Sequence, residues 1–318
     1  MSTVPSLPHH HSRELSEKIL DLIFEMRNST SPENYENREM HRLKVEGLIR
    51  QELPIHMILP AFPAKSPNPQ KTATHKPDFG EVVALTRLNT LCTCITDIYK
   101  SGAKITICSD GRVFSDVVQV CDGAVDVYGR EIRAIINERG LEHLATFSLD
   151  DVYSAHDYDL MRQRLVWEFA ESVDQIRQRV KSDPDDRALF NGIHRFMFED
   201  QLALQPERSK SWAREHAKGL AYAVIQRSNA WSRLVEKRFP DTIRLSIHPQ
   251  PDHSPKIGVR LVNSSDQWRT PWHSVLVSDG QKYWLAPRAQ AEAHGATLVY
   301  AENRYPYYVI SQTTEAVS

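Results

Sequence analysis

The chain has 318 residues, 41% of them hydrophobic and 25% charged, with a formal net charge of −2. This is the composition of an ordinary folded domain, and the charge balance excludes a global pull toward nucleic acid or an anionic membrane. No stretch approaches the roughly 18 apolar residues of a membrane span, and the N-terminus lacks the apolar run of a signal peptide. The cysteines Cys92, Cys94, Cys108 and Cys121 show no C-x-x-C spacing and no zinc-finger histidines. They read as buried free thiols in a reducing cytoplasm, and no metal site is expected.

Residues 1–12, with the His9-His10-His11 triplet, read as disordered. From Ser12, apolar residues at Leu15, Ile19, Leu22, Ile23 and Met26 predict a capped helix. A second helix is predicted over 39–52, so residues 1–50 form a helical lead. The period then changes, and 55–59 is a short apolar run closed by Pro60, the pattern of a buried strand. Pro60, Pro63, Pro67, Pro69 and Pro77 mark a long loop, and loops of that length in compact domains are usually functional or disordered. A helix follows from Glu81, with Leu85, Leu88, Leu91, Ile95 and Ile98 on one face and Gly102 as its stop.

Residues 104–109 predict a second strand, Asp110-Gly111 a turn, 116–138 a helix and 144–149 a third strand. Residues 51–155 therefore predict a Rossmann-like βαβαβ core of the α/β class, a parallel sheet covered by helices. Residues 156–240 read as helical, broken at Asp183-Pro184 and Pro206, with a solvated junction over 181–187 and with Trp212 and Trp231 in the core. Residues 241–318 turn to strands over 242–248, 256–261, 298–301 and 307–310. Strands over 272–277 and 282–286 flank the hairpin signal Ser278-Asp279-Gly280-Gln281. Tyr305, Tyr307 and Tyr308 read as packing or a pocket edge.

Ligands of an open parallel sheet bind outside the carboxyl ends of its strands. The first strand exits into LPAFPAKSPNPQK (59–71) and the second into SDGRVFSD (109–116). If those strands are neighbours, the loops face each other across one crevice. They then offer Lys65, Lys71 and Arg112 as cations for a phosphate or carboxylate, and Asp110 and Asp116 as carboxylates, with Asp78 and Glu81 just beyond. No Walker or dinucleotide fingerprint is present. Farther on, IRLSIHP places Arg244, Ser246 and His248 on one strand face by alternation. TPWH adds Trp272 and His273, and histidine is the side chain suited to proton transfer near neutral pH.

These blocks, LPAFPAKSPNPQK, KPDFGE, SDGRVFSD, IRLSIHP and TPWH, occur in this order over residues 55–275. In them the chain resembles the pyoverdine/dityrosine biosynthesis proteins, the isocyanide (isonitrile) synthases. Ala64 and the stretch 72–75 depart from many relatives. The resemblance implies a condensation without metal, nucleotide or redox cofactor. An aromatic L-amino acid, tyrosine ahead of tryptophan, joins ribulose 5-phosphate through an imine at the C2 ketone. Acid–base steps then fragment the sugar and leave C2 as the isocyanide carbon. The expected acids and bases are Asp110, Asp116, His248 and His273. The expected substrate contacts are Lys65, Ser66, Lys71, Asp78, Glu81, Arg112, Phe114, Arg244, Ser246 and Trp272. The resemblance also implies an iron- and 2-oxoglutarate-dependent oxygenase as pathway partner. The alternatives are a non-catalytic small-ligand-binding protein of the same fold, or an enzyme making a different carbonyl–amine condensation product.

Overall fold

The computed structural model describes residues 9–30, 36–154, 157–263 and 268–310. Helices α1 (His9–Phe24) and α2 (Arg38–Arg50) precede β1 (Ile55–Leu59). An ordered loop over 60–78 leads to α3 (Phe79–Ile98), β2 (Ala103–Cys108), the single turn α4 (Gly111–Phe114), α5 (Asp122–Glu138) and β3 (Leu144–Phe147). The middle section is α6 (Tyr158–Phe169), α7 (Val173–Ser182), α8 (Pro184–Leu204) and α9 (Lys210–Arg238). β4 (Ile243–Ser246) and β5 (Ile257–Gly258) follow, then β6 (Val275–Ser278), β7 (Tyr283–Ala286), α10 (Arg288–Ala293), β8 (Thr297–Ala301) and β9 (Tyr305–Val309).

The first five strands make one parallel sheet in the order β3-β2-β1-β4-β5. Both faces are covered, which is why β1 and β2 read as apolar runs rather than alternating ones. On one face Met57, Leu59, Ile105 and Ile107 pack with Ile19 and Ile23 of α1, Ile49 of α2, Leu85 and Leu88 of α3 and Ile135 of α5. On the other, Ile58, Cys108 and Phe147 pack with Leu165 of α6 and Trp231, Leu234 and Val235 of α9. Strand order grows outward from β1 in opposite directions, so β1 and β4 flank the topological switch point, where such sheets bind ligands. The C-terminal strands form a second, mixed sheet in the order β7-β6-β9-β8, with the predicted hairpin pairing Val275 to Ala286.

Several sequence expectations are corrected. α1 starts at His9, ahead of Ser12, so 9–11 is helical, while 1–8 lies outside the described residues. The helix expected over 116–138 is split. The chain turns through Gln119 at φ 58°, and the Val120 N–H donates to the Ser115 carbonyl at 2.9 Å before α5 begins at Asp122. β4 ends at Ser246, so His248 lies in a bend rather than on the strand face with Arg244. Trp272 belongs to a 3-10 turn, Pro271–His273, ahead of β6. Trp231 is core, but Trp212 is exposed and stacks on His216. Cys92 and Cys108 are buried, whereas Cys94 is half-buried and Cys121 exposed.

Candidate active site

The loops leaving β1 and β2 are neighbours, since Leu59 pairs with Ile107. They are packed together rather than parted. Ser109 Oγ donates to the Phe62 carbonyl at 2.9 Å. A Cβ on Gly111 would lie 2.0 Å from the Pro63 carbonyl oxygen, so this contact requires glycine. The β1 loop also rests on the 3-10 turn: the Ser66 N–H donates to the Trp272 carbonyl at 2.8 Å, and the Phe62 and Trp272 rings lie 5.1 Å apart. The buried Ser66 Oγ accepts from the Asn68 N–H. Trp272 and Ser66 thus shape the loop.

Most of the charged residues expected in the crevice hold the framework instead. Lys65 Nζ lies 2.7 Å from Asp78 and 2.9 Å from Glu81, and donates to the Pro271 carbonyl at 2.8 Å. Asp78 and Glu81 also form the capping box of α3, and the Tyr128 hydroxyl donates to Glu81. The lysine is sealed from solvent. Burial acts to lower its pKa, but the two carboxylates outweigh burial and hold the ammonium protonated. Burial, aided by Glu81, pushes the Asp78 carboxyl up despite Lys65. A cation already bonded to two buried carboxylates is not open to a phosphate.

Arg112 is likewise enclosed. It pairs with Asp122 at 2.9 Å, with Asp126 and with Asp150, and its guanidinium lies 3.6 Å over the Tyr158 ring. Arg162 of α6 shares Asp122. Asp116, exposed, forms a two-oxygen pair with Arg227 of α9, and Phe114 packs half-buried against the core under α9. This network staples α4, α5, α6 and α9 together and sets where α5 begins.

What remains gathers at the switch point, on the face that α9 covers. Asp110 sits at the end of β2, Arg244 on β4, His248 in the bend after β4 and His273 in the 3-10 turn. Each lies within electrostatic reach of another: His273 of Lys71 and His248, His248 of Lys256, Lys256 of Arg244, and Arg244 of Asp110. Lys71 lies 2.7 Å from Asp200 of α8, which Asn68 also binds, and 3.6 Å from the centre of the Phe196 ring. Phe196 in turn packs on His273 at 4.9 Å. α8 therefore closes one side of the cleft. Phe196, Asp200 and Lys256 were not marked by any motif. Asp200 is one acid in an amphipathic helix, and only its fold contacts single it out. Ser246 Oγ is occupied by the His248 N–H and Gln250 Nε2, so it shapes the bend.

Desolvation dominates the ionisable groups gathered here. Burial, against the pull of a backbone hydrogen bond and of Arg244, raises the Asp110 carboxyl to about 7. Burial, then the charges of Lys71, His248 and Lys65, pushes His273 down to about 3. His248 is exposed in the bend, and desolvation by the surrounding protein with the charge of Lys256 lowers it too. At neutral pH this arrangement presents a carboxyl poised between its two states and two neutral imidazoles, a set suited to moving protons. Between the loops leaving β1 and β2, the end of β3 and α5, a cavity of about 480 Å³ is lined by Phe62, Ser109, Arg112, Thr146, Arg130 and Arg133. Its carboxylates Asp126 and Asp150 are committed to Arg112.

The sequence profile of the family described as pyoverdine/dityrosine biosynthesis protein matches residues 45–299. The chain is 44% identical over 305 residues to the L-tryptophan isonitrile synthase AmbI1 of Fischerella ambigua, covering 94% of this chain and 96% of that protein. It is 39% identical over 269 residues to an L-tyrosine isonitrile synthase of Pseudomonas aeruginosa, covering 83% and 82%. The crystal structure of PvcA from Pseudomonas aeruginosa matches with a TM-score of 0.86 at 36% identity, covering 93% of this chain and 99% of that one. Relatives this similar over nearly the whole length are catalysts, so the reading as a non-catalytic binder gives way. The chain belongs to the pyoverdine/dityrosine biosynthesis family and is an enzyme of its isonitrile synthase kind.

Proposed function

We propose that the enzyme converts an aromatic L-amino acid and ribulose 5-phosphate to the α-isocyano acid. The observation that carries this reading is the near full-length identity to relatives named for L-tryptophan and L-tyrosine. Two relatives named for tryptophan share 44% with the chain, against 39% and 36% for two named for tyrosine. This margin supports trying tryptophan first, alongside the tyrosine expected from the sequence.

In the proposed reaction the substrate amine attacks the C2 ketone, and loss of water gives the imine. Asp110, poised near neutrality by burial, takes the amine proton and returns it to the departing hydroxyl. As the C1–C2 bond breaks, the C1 hydroxyl gives its proton to an uncharged imidazole of His248 or His273, and C1 leaves as formaldehyde with the bonding pair on C2. As the C2–C3 bond breaks, its pair goes to C3, which takes up a proton, so C3–C5 leaves as a three-carbon polyol phosphate and C2 keeps its lone pair. C2 of the ketose and the isocyanide carbon stand at the same oxidation level, so the conversion needs no net electron transfer. The product is then available to an iron- and 2-oxoglutarate-dependent oxygenase as the next enzyme.

The test is a two-substrate assay with purified protein. L-tryptophan or L-tyrosine is supplied with ribulose 5-phosphate labelled with carbon-13 at C2, and products are read by mass spectrometry. The expected product is the α-isocyano acid carrying the label. A folded protein that yields no labelled isocyanide with either amino acid would sink the proposal.

A further inference from the structure

β4 and β5 pair Leu245 with Ile257 and Ser246 with Gly258. The preceding residues, Arg244 and Lys256, are therefore the next neighbours along the same ladder and leave the sheet on one face, with strands about 4.8 Å apart. That face is the one covered by α9, because Arg244 Nη2 donates to Ser232 Oγ at 3.2 Å. The other guanidinium nitrogens, Nε and Nη1, are enclosed and have no hydrogen-bond partner among the described residues. Among the described residues, no carboxylate stands within ion-pair distance of either cation. Glu236 is nearby, but it is exposed and takes the Ser232 hydroxyl at 3.2 Å. Asp110 is the other neighbouring carboxyl.

Two like charges side by side on a sheet repel, and enclosed donors without acceptors cost stability. An anion lying between them removes both penalties. The guanidinium presents a fork to two oxygens and the ammonium a compact charge. A phosphate monoester supplies up to two charges and three acceptor oxygens, which matches two cations and the unused donors. A carboxylate would leave one cation uncompensated. The other cations of the region are engaged, Lys65 in a buried carboxylate cluster, Arg112 on three partly exposed aspartates and Lys71 on Asp200. We infer that Arg244 and Lys256 together form the phosphate subsite of the cleft, holding the phosphate monoester of the sugar substrate. This assignment rests on the proposed reaction for the sugar, but the phosphate site itself is defined without turnover.

Inorganic phosphate is titrated into the full-length protein by calorimetry, and is used as an inhibitor in the two-substrate assay. The wild type is expected to bind phosphate, in competition with the sugar phosphate and not with the amino acid. Lys256→Met and Arg244→Gln should each weaken phosphate binding by about tenfold or more, the loss of one charge-assisted contact. Lys256→Met should raise the KM for the sugar phosphate by a similar factor while the KM for the amino acid moves less than about twofold, and Lys256→Arg should restore most of the loss. Thermal midpoints confirm that each variant is folded, and the Lys256 series decides the case if Arg244→Gln is not. Unchanged phosphate affinity in the Lys256 variant, or a rise in the amino-acid KM instead, overturns the assignment. Phosphate binding that is lost in the variants, from a wild type that makes no isocyanide, upholds the subsite and refutes the proposed reaction.

Discussion

Lys65 Nζ lies 2.7 Å from Asp78 Oδ2, with both side chains almost wholly removed from solvent. With Glu81 on the same ammonium, this pair ties the loop after β1 to the first turn of α3. Removing one partner of such a cluster strands a buried charge. Lys65→Met is therefore expected to lower stability by about 3–5 kcal/mol, read as a drop in the urea midpoint. The apparent affinity for the sugar phosphate in the remaining folded protein should be unchanged. A variant of native stability with weakened sugar use would return Lys65 to the substrate site.

Gly111 marks the second tie between the two loops. An added Cβ would meet the Pro63 carbonyl oxygen at 2.0 Å, and that carbonyl belongs to a backbone already fixed by the Ser109–Phe62 hydrogen bond. Gly111→Ala must push the loops apart. A loss of about 1–3 kcal/mol is expected, as for other overpacked sites, together with lost activity, because Asp110 moves with the turn. Native thermal stability and native turnover in this variant would show that the contact is slack.

Asp110 gives a signed pH prediction. Its carboxyl is raised to about 7 from an ordinary value of 3.8, chiefly by burial. A raised folded value means that its contribution to stability is fully present below about 4 and is lost as pH rises to about 7. Asp110→Asn removes that loss. The variant should melt above the wild type at pH 8, with the gap closing toward pH 4. Product formation should fall by about 10²–10⁴-fold, the usual worth of a general acid–base. A variant that melts below the wild type at pH 8 would contradict the desolvated carboxyl.

His273 behaves in the opposite sense. Its imidazole is pushed down to about 3, first by burial and then by Lys71, His248 and Lys65. A depressed folded value gives stability that is present above about 6.5 and lost as pH falls toward 3. Lys71→Met removes one of the opposing charges, so the His273 resonance in a proton NMR titration should move to a higher pKa. No upward movement would mean that the Lys71 charge does not reach the imidazole.

The arrangement of the sheet was legible from local pattern. Unbroken apolar runs at 55–59 and within 104–109, Pro60 and Gly102 as stops, and Asp78 with Glu81 before an apolar helix are each decided by neighbours a few residues away. The order of the motif blocks was likewise enough to point to the family. The break at Gln119 was not legible, because no residue there demands a positive φ. Nor was the availability of charge. Lys65, Arg112 and Arg244 look alike in a sequence, each a cation at a strand or loop. What separates them is burial and partners brought from a distance: Asp78 and Glu81 across a capped helix for Lys65, three aspartates and Tyr158 for Arg112, and, among the described residues, a single hydrogen bond to Ser232 for Arg244. Position along the chain set the loops at the carboxyl ends of the strands. Desolvation and pairing, which exist only once the helices have closed on the sheet, selected which of their charged groups hold the frame and which face the cleft.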